Sequence, residues 1–379
     1  MPRPADHALA SVLGELGTGV IQVSGGAPGG TKASRQLARE LSFRTGRPAI
    51  YNLISQAVDE PDGWKEHLQW LADSFKTGAR AYGSCVSVPA GPIFDLRLGL
   101  DVPQDEDLMN PNGIFHGMPT WDDVMARPYQ ERIHAFRDPE IRKALSAEAV
   151  EGTVAQASPM TDRRGRARGY FNRRWHLVQV FLANKGQNRA LEGRSVAQIA
   201  QEQGKSTIDA FLDLSLEEDL QTLFMVVDRN SDPKAQKEIL GSHYTVIGTS
   251  DGGARPHSHD RDDYSTHLLG HWVREEQVSL EEAVYRLTGK TALMHDLPDR
   301  GFIAPGKAAD ITIFDPDTIA SKPRELAHDL PDGGTRVKRD AIGIDHVIVN
   351  GVGLMESGEH TGAFPGQVVR GPLYQGTQA

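Results

Sequence analysis

Apolar positions in the first ninety residues fall into short dense runs that alternate with longer amphipathic ones. GVIQVSG (19–25) is rich in β-branched residues and ends in glycines, which predicts a buried strand. ASRQLARELSFRTGR (33–47) predicts a helix that closes near Gly46. PAIYNLISQ (48–56) predicts a second strand, WKEHLQWLADSFKTG (64–78) a helix stopped by Gly78, and ARAYGSCVSV (79–88) a third strand. Strand and helix alternating at this spacing predict parallel βα units.

Residues 92–240 break that rhythm. Pro, Gly and Asp are frequent between 91 and 119, which predicts a long loop excursion. ARPYQERIHAFRDPEIRKALSAEAVEG (126–152) is helical in pattern, with an interruption at Asp138-Pro139. Ser195 and Gln198 predict a capping box that opens SVAQIAQEQG, and Gly204 predicts its stop. STIDAFLDLSLEEDL (206–220) predicts another helix and turn. The stretch therefore reads as a mostly helical insertion carried on a βα loop. The earlier grammar returns at YTVIGTSDGG (244–253), a strand running into a turn. SLEEAVYRLTGKTALMHDL (279–297) then predicts one helix, with Ser279 and Glu282 as a second capping box. Beyond it the pattern becomes β. FIAPGKAADITIFD carries a Pro-Gly turn and the apolar positions Ile311, Ile313 and Phe314, and Asn350-Gly351 predicts a hairpin.

Composition narrows the function classes. The 379 residues are 24% charged and 39% hydrophobic, enough for a large domain with a buried core. A formal net charge of -10 argues against nucleic acid as a partner. No apolar run approaches the roughly 20 residues of a membrane span. Cys85 is the only cysteine, so neither an internal disulfide nor a cysteine-rich zinc site can form, which fits a reducing cytoplasm.

Four segments occur in a fixed order: TSDGGA (249–254), SLEEAVYRLT (279–288), DRGFIAPGKAADITIFDPDT (299–318), and IDHVIVNGV (344–352) followed by GEHTGAFPG (358–366). This succession resembles the C-terminal half of the N-acyl-D-amino-acid deacylase (D-aminoacylase) branch of the amidohydrolase superfamily. LGTGVIQVSGG and the Gly-Arg-Pro before the second strand are similar to the middle of that family. The resemblance implies an α/β fold, a (β/α)8 TIM-type barrel with a small β-sandwich beside it. Such a barrel needs eight βα units and typically ~250 residues. Strands of barrel type are expected only around 19–24, 48–54, 79–88 and 244–250, and they correspond to the last four. The expected organisation is an incomplete barrel over residues 1–300, with the helical insertion at 92–240, and a β-rich part of the sandwich over 301–379. Half a barrel leaves open sheet edges, which favour a homo-oligomer or a complementing chain.

The resemblance also implies zinc, metal-dependent hydrolysis of linear amides and a small-molecule N-acyl amino acid substrate. The His-x-His pair that such barrels carry on their first strand is not found, and His7 is isolated. A truncated, catalytically inactive relative acting as a binding protein is therefore the alternative. Dihydroorotase-like cyclic-amide hydrolases are another. Asp251 follows an apolar strand, and the resemblance implies for it the role of the last-strand aspartate, which passes a proton from the attacking water to the leaving amine. Ser250, Gly252, Gly253 and Arg255 are expected beside the substrate. Asp251, His257 and His259 are the residues to test for metal, although Asp-Gly is also an ordinary turn and RPHSHDRDD an ordinary polar loop. The basic run Arg163, Arg164, Arg166, Arg168, Arg173 and Arg174 could pair with a carboxylate, or form a solvated face. Cys85 is expected buried and inert. His267 and His271 share a helix face as packing or solvent-facing residues, and Tyr51, Asn52 and Gln56 are candidate pocket-lining residues.

Overall fold

The computed structural model describes residues 4–24, 30–91, 93–97, 118–150, 174–248, 250, 261–275, 277–334 and 336–370. In chain order, the first part comprises α1 (Pro4–Leu16), β1 (Ile21–Ser24), α2 (Gly30–Thr45), β2 (Ala49–Asn52), α3 (Gly63–Lys76) and β3 (Ala81–Cys85). The central part comprises β4 (Ile93–Phe94), α4 (Pro119–Ala126), α5 (Tyr129–Arg137), α6 (Pro139–Glu148), β5 (Val178–Leu182), α7 (Val196–Gln203), α8 (Thr207–Glu217), β6 (Leu223–Val226) and α9 (Pro233–Gly241). Then come β7 (Thr245–Ile247), α10 (Tyr264–His267) running into a π-helical stretch (Leu268–Val273), α11 (Leu280–Leu287) and α12 (Gly289–Met294).

The strands expected near residues 20, 50, 80 and 245 pair in parallel, in the order β1-β2-β3-β7. β2 and β7 are short runs buried on both faces, the usual condition of parallel strands, whereas β1 alternates, with Gln22 and Ser24 exposed. Tyr51, Val23 and Ile247 pack with Ala38 of α2, Trp64 and Leu71 of α3 and Ile239 of α9. Ile50 and Val246 pack on the opposite face with Met294 of α12. The amino ends of the strands are sealed by cations. Arg47 donates to the Gly17 and Gly19 carbonyls (2.6 and 3.0 Å) and pairs with Asp296. Arg286 is buried and donates to the Gly241 carbonyl (3.1 Å), while Lys290 donates to the His243 and Thr245 carbonyls (both 2.7 Å).

Between β3 and β7 the chain builds a second core. The interruption at Asp138 is a helix cap: its carboxylate accepts from the Glu140 and Ile141 amides and Pro139 opens α6. Ser195 and Gln198 form the reciprocal capping box, and Gly204 closes α7 in the left-handed region at φ 64°. A sheet lies among the helices of this region, which the sequence pattern predicted to be mostly helical. β4, β6 and β5 form an antiparallel sheet in that order. Phe94 and Phe224 of this sheet stack at 5.6 Å, against Phe211, Trp121 and Trp175. The two ends of the region meet: Ala90 and Arg229 exchange backbone hydrogen bonds of 3.1 Å, and Asn230 Nδ2 reaches the Val88 carbonyl.

The helix expected over 279–297 is broken. Ser279 caps α11, but Glu282 turns to Arg286 (2.6 Å), and Thr288 (φ -122°, ψ -85°) separates α11 from α12. The remaining strands are β8 (Ile311–Phe314), β9 (Ala320–Ser321), β10 (Glu325–Ala327), β11 (Arg336–Lys338), β12 (Ala341–Ile342), β13 (Ile344–Val349), β14 (Val352–Glu356) and β15 (Glu359–His360). β8, β13, β14 and β15 form one antiparallel sheet, turned at Asn350-Gly351 with φ of 49° and 80°, a type I′ hairpin. Among the described residues beyond 300, only Ile319 and Val337 are buried.

Candidate functional site

At their carboxyl ends the parallel strands present a polar row. Ser24 lies in register with Asn52, whose Oδ1 accepts a hydrogen bond from Ser84 Oγ (2.8 Å). These residues share the face of Ile50 and Val246, and Ser24 and Asn52 are the last residues of β1 and β2 while Ser84 is the last but one of β3. The sealed amino ends and the polar carboxyl ends give the sheet one chemically usable edge.

Loops beyond the strands are held by buried polar contacts. Gln56 Oε1 accepts from the Ser231 and Asp232 backbone N–H groups (3.0 and 3.4 Å), and its backbone N–H donates to Asn230 Oδ1 (3.2 Å). Ser87 Oγ donates to the Tyr264 carbonyl (2.7 Å), and Trp272 Nε1 donates to the Ser87 carbonyl (2.8 Å). Gln236 Nε2 reaches the Val86 carbonyl. Gln56 is therefore a clamp between loops, its side-chain oxygen taken by backbone N–H groups. Ser250, half-buried, and Tyr264 flank the segment that carries the candidate chemistry. Asp251, Gly252, Gly253, Arg255, His257 and His259 lie outside the described residues, as do Arg163, Arg164, Arg166, Arg168 and Arg173. Arg174 pairs with Asp59 at 2.7 Å.

Tyr51 also departs from its expected role. Its ring lies between helices, edge-on to His67 (6.1 Å between centroids) and Trp70 (5.7 Å). Burial raises its hydroxyl's pKa, against a hydrogen bond with Thr31 and the charges of Arg35 and Arg229. Burial, then Arg35, push the His67 imidazole down to about 4. Sequence spacing could not reveal this group, since its members come from α2, β2, α3 and the turn after β6.

His267 is largely buried, and burial followed by His271 pushes it down to about 4. His271 is more open and pairs with Glu275 at 3.1 Å. Burial pushes the Asp228 carboxyl up to about 6. These shifts give the acid response a sign. From pH 6.5 toward 4 the unfolded chain protonates His67 and His267 while the folded chain does not, so stability falls on acidification. Asp228 acts oppositely, since the folded state holds its proton between about 6 and 3.8. The two imidazoles outnumber the carboxyl, so unfolding takes up a net of about one proton near pH 5 to 6. Urea midpoints measured at pH 7, 6 and 5 are expected to decline steadily. A midpoint that rises on acidification contradicts the burial of both imidazoles.

The described residues do not fit a metal centre. No group of three or more His, Cys, Asp or Glu among them is placed to hold an ion. The strand ends offer hydroxyls and an amide in place of imidazoles, and Cys85 is sealed in the core with its thiol pushed up to about 11. No helix among the described residues is long and apolar enough to cross a membrane.

Parallel strands with polar carboxyl ends, joined by helices, define an α/β chain of the kind that carries its chemistry at that edge. Residues 126–354 match the model of the amidohydrolase family, and the chain belongs to that family. Its curated relatives include deacylases of the D-aminoacylase branch. The chain is 33% identical to the D-aminoacylase of Alcaligenes xylosoxydans xylosoxydans over 183 residues, 47% of this chain and 34% of that protein. It is 30% identical to the N-acyl-D-glutamate deacylase of the same organism over 182 residues, 47% of this chain and 33% of that protein. These matches span about a third of the relatives' length. A solved D-aminoacylase superposes with a TM-score of 0.47 at 19% identity, over 94% of this chain and 58% of that one. The N-acyl-D-glutamate deacylase of Bordetella bronchiseptica, solved with zinc and a phosphonate inhibitor, gives 0.46 at 17% identity, over 92% and 55%. Another solved D-aminoacylase contains a binuclear metal centre.

Proposed function

We propose that this chain takes part in hydrolysis of linear amides of the N-acyl-D-amino acid class, with Asp251 as its proton carrier. The observation that supports this most is the position of Asp251 in sequence. It comes soon after the end of β7 in the sequence and inside the segment matched to the amidohydrolase family. A carboxylate there takes a proton from the attacking water and returns it to the departing amine, a role generally worth 10²–10⁴-fold in rate. Ser250, Gly252, Gly253 and Arg255 border the scissile amide in this reading. Asp251, His257 and His259 are the residues whose replacement tests for bound zinc.

On the same reading the four parallel strands belong to a (β/α)8 barrel. Residues 92–240 are an insertion on it, and residues 301–379 are part of a β-sandwich. A complementing polypeptide or a second copy supplies what the strand ends described here lack in metal ligands. The lone buried thiol suits a reducing cytoplasm.

The test is amine release from N-acetyl-D-amino acids by the purified chain, with zinc content measured on the same sample. Asp251→Asn is expected to lower kcat at least about a hundredfold. Absence of turnover both in the unaltered chain alone and in the complex purified with any polypeptide that accompanies it would sink the reading and leave a binding protein without catalysis.

A further inference from the structure

Two βα units bring their helix amino ends to the carboxyl end of β2, and both ends meet the same group of side chains. α2 has no acidic residue in its first turn, where Thr31 and Lys32 stand instead. The free amides of a helix start carry about half a positive charge, which an anion satisfies. Thr31 bonds the Tyr51 hydroxyl, and Tyr51 in turn contacts His67 in the first turns of α3.

Arg35 supplies the second observation. The residue is 7% exposed, and its guanidinium lies 6.0 Å from the Trp70 ring. Nη2 donates to Glu66 (2.8 Å), but Nη1 is buried and has no hydrogen-bond partner among the described residues. Glu66, its counter-charge, is 75% exposed and so screened by water. His67 Nδ1 is likewise buried without a partner. Arg229 reaches the group from beyond β6, donates to Ser55 Oγ (3.1 Å) and acts on both Tyr51 and His67. Two guanidiniums, a phenol and an imidazole thus converge, opposed among the described residues by the exposed carboxylate of Glu66 at Arg35 and by the buried carboxyl of Asp228 at Arg229. A buried charged donor without an acceptor is costly, and a neutral ligand would leave its charge uncompensated. Two guanidiniums repel a metal cation.

We propose that this junction of α2, β2 and α3 binds a small oxyanion, a carboxylate or a phosphate, held by Arg35, Arg229, Tyr51 and the first turn of α2. The site involves none of the residues assigned to amide hydrolysis and stands independently of that reading. An anion bound here favours the imidazolium of His67, which the two arginines otherwise oppose.

Titration of the His67 imidazole by NMR, its resonance assigned by loss in His67→Asn, tests the site. Sodium phosphate and sodium acetate are compared with sodium chloride at equal ionic strength. The expected result is a saturable upward shift of the His67 midpoint, by a pH unit or more, with phosphate, acetate or both. Arg35→Gln removes that shift, and Arg229→Gln does the same if the first variant does not fold. Response to phosphate alone assigns a tetrahedral ligand, and response to acetate alone a carboxylate. No shift beyond that in chloride, or a shift that survives in both arginine variants, overturns the proposal.

Discussion

Replacing Phe211 with alanine is expected to destabilise the protein by about 4 kcal/mol, the usual range for truncating a buried phenylalanine. The side chain is fully buried on α8. Its ring lies 4.7 Å from Phe224, 5.2 Å from Trp175 and 6.1 Å from Trp121. Truncation removes one partner from each of those contacts and leaves a cavity that rigid indoles cannot collapse to fill. Phe211→Leu keeps most of the volume and is expected to cost about 1.5 kcal/mol. Urea denaturation of both variants measures the difference. A loss below about 1.5 kcal/mol for the alanine variant would show that the aromatic cluster is not packed in this way.

Gly91→Ala is expected to have a comparable effect through the backbone. A Cβ at this position would sit 1.6 Å from the Val226 carbonyl oxygen and 2.8 Å from its carbon. Neither atom is free to move, because β6 is the middle strand between β4 and β5. The approach of β4 to β6 at Ile93 and Met225 then has to open, and loss of that pairing costs on the order of 3 kcal/mol or more. Gly186→Ala is the control, since no atom lies within 4 Å of its added carbon. Near-equal urea midpoints for the two variants would refute the close approach at Gly91.

The parts of the fold that were legible in the sequence are those written locally. The capping box at Ser195 and Gln198, the break at Asp138-Pro139 and the hairpin at Asn350-Gly351 each need only neighbouring residues. The parallel strands were legible because glycine stops separate them from amphipathic helices. The sheet of β4, β5 and β6 was not. Val178 to Leu182 and Leu223 to Val226 are short runs without alternation, and such runs do not distinguish strand from buried helix. Their pairing spans residues far apart in the chain. The break at Thr288 was hidden because Arg286, a good helix former, is drawn inward to the carbonyls of Gly241 and Thr245. Asp251 stood out through flanking motifs. The group around Arg35 did not, since no pattern in the sequence links Thr31, Tyr51, His67 and Arg229.

The meeting of Ala90 with Arg229 bears on how the molecule assembles. Cys85 and Val246 lie on paired strands yet stand 161 positions apart, a separation that makes direct encounter slow. Once the intervening region has condensed on its own aromatic core, its entry and exit points are already side by side. The open chain left between β3 and β7 is then roughly 20 residues, which lowers the entropy of closure by about 2 kcal/mol. The expected order of events is that the latecomer strand joins the sheet after the excursion has matured. Damage to Phe211 should therefore delay the docking of β7 as well as weaken the folded state.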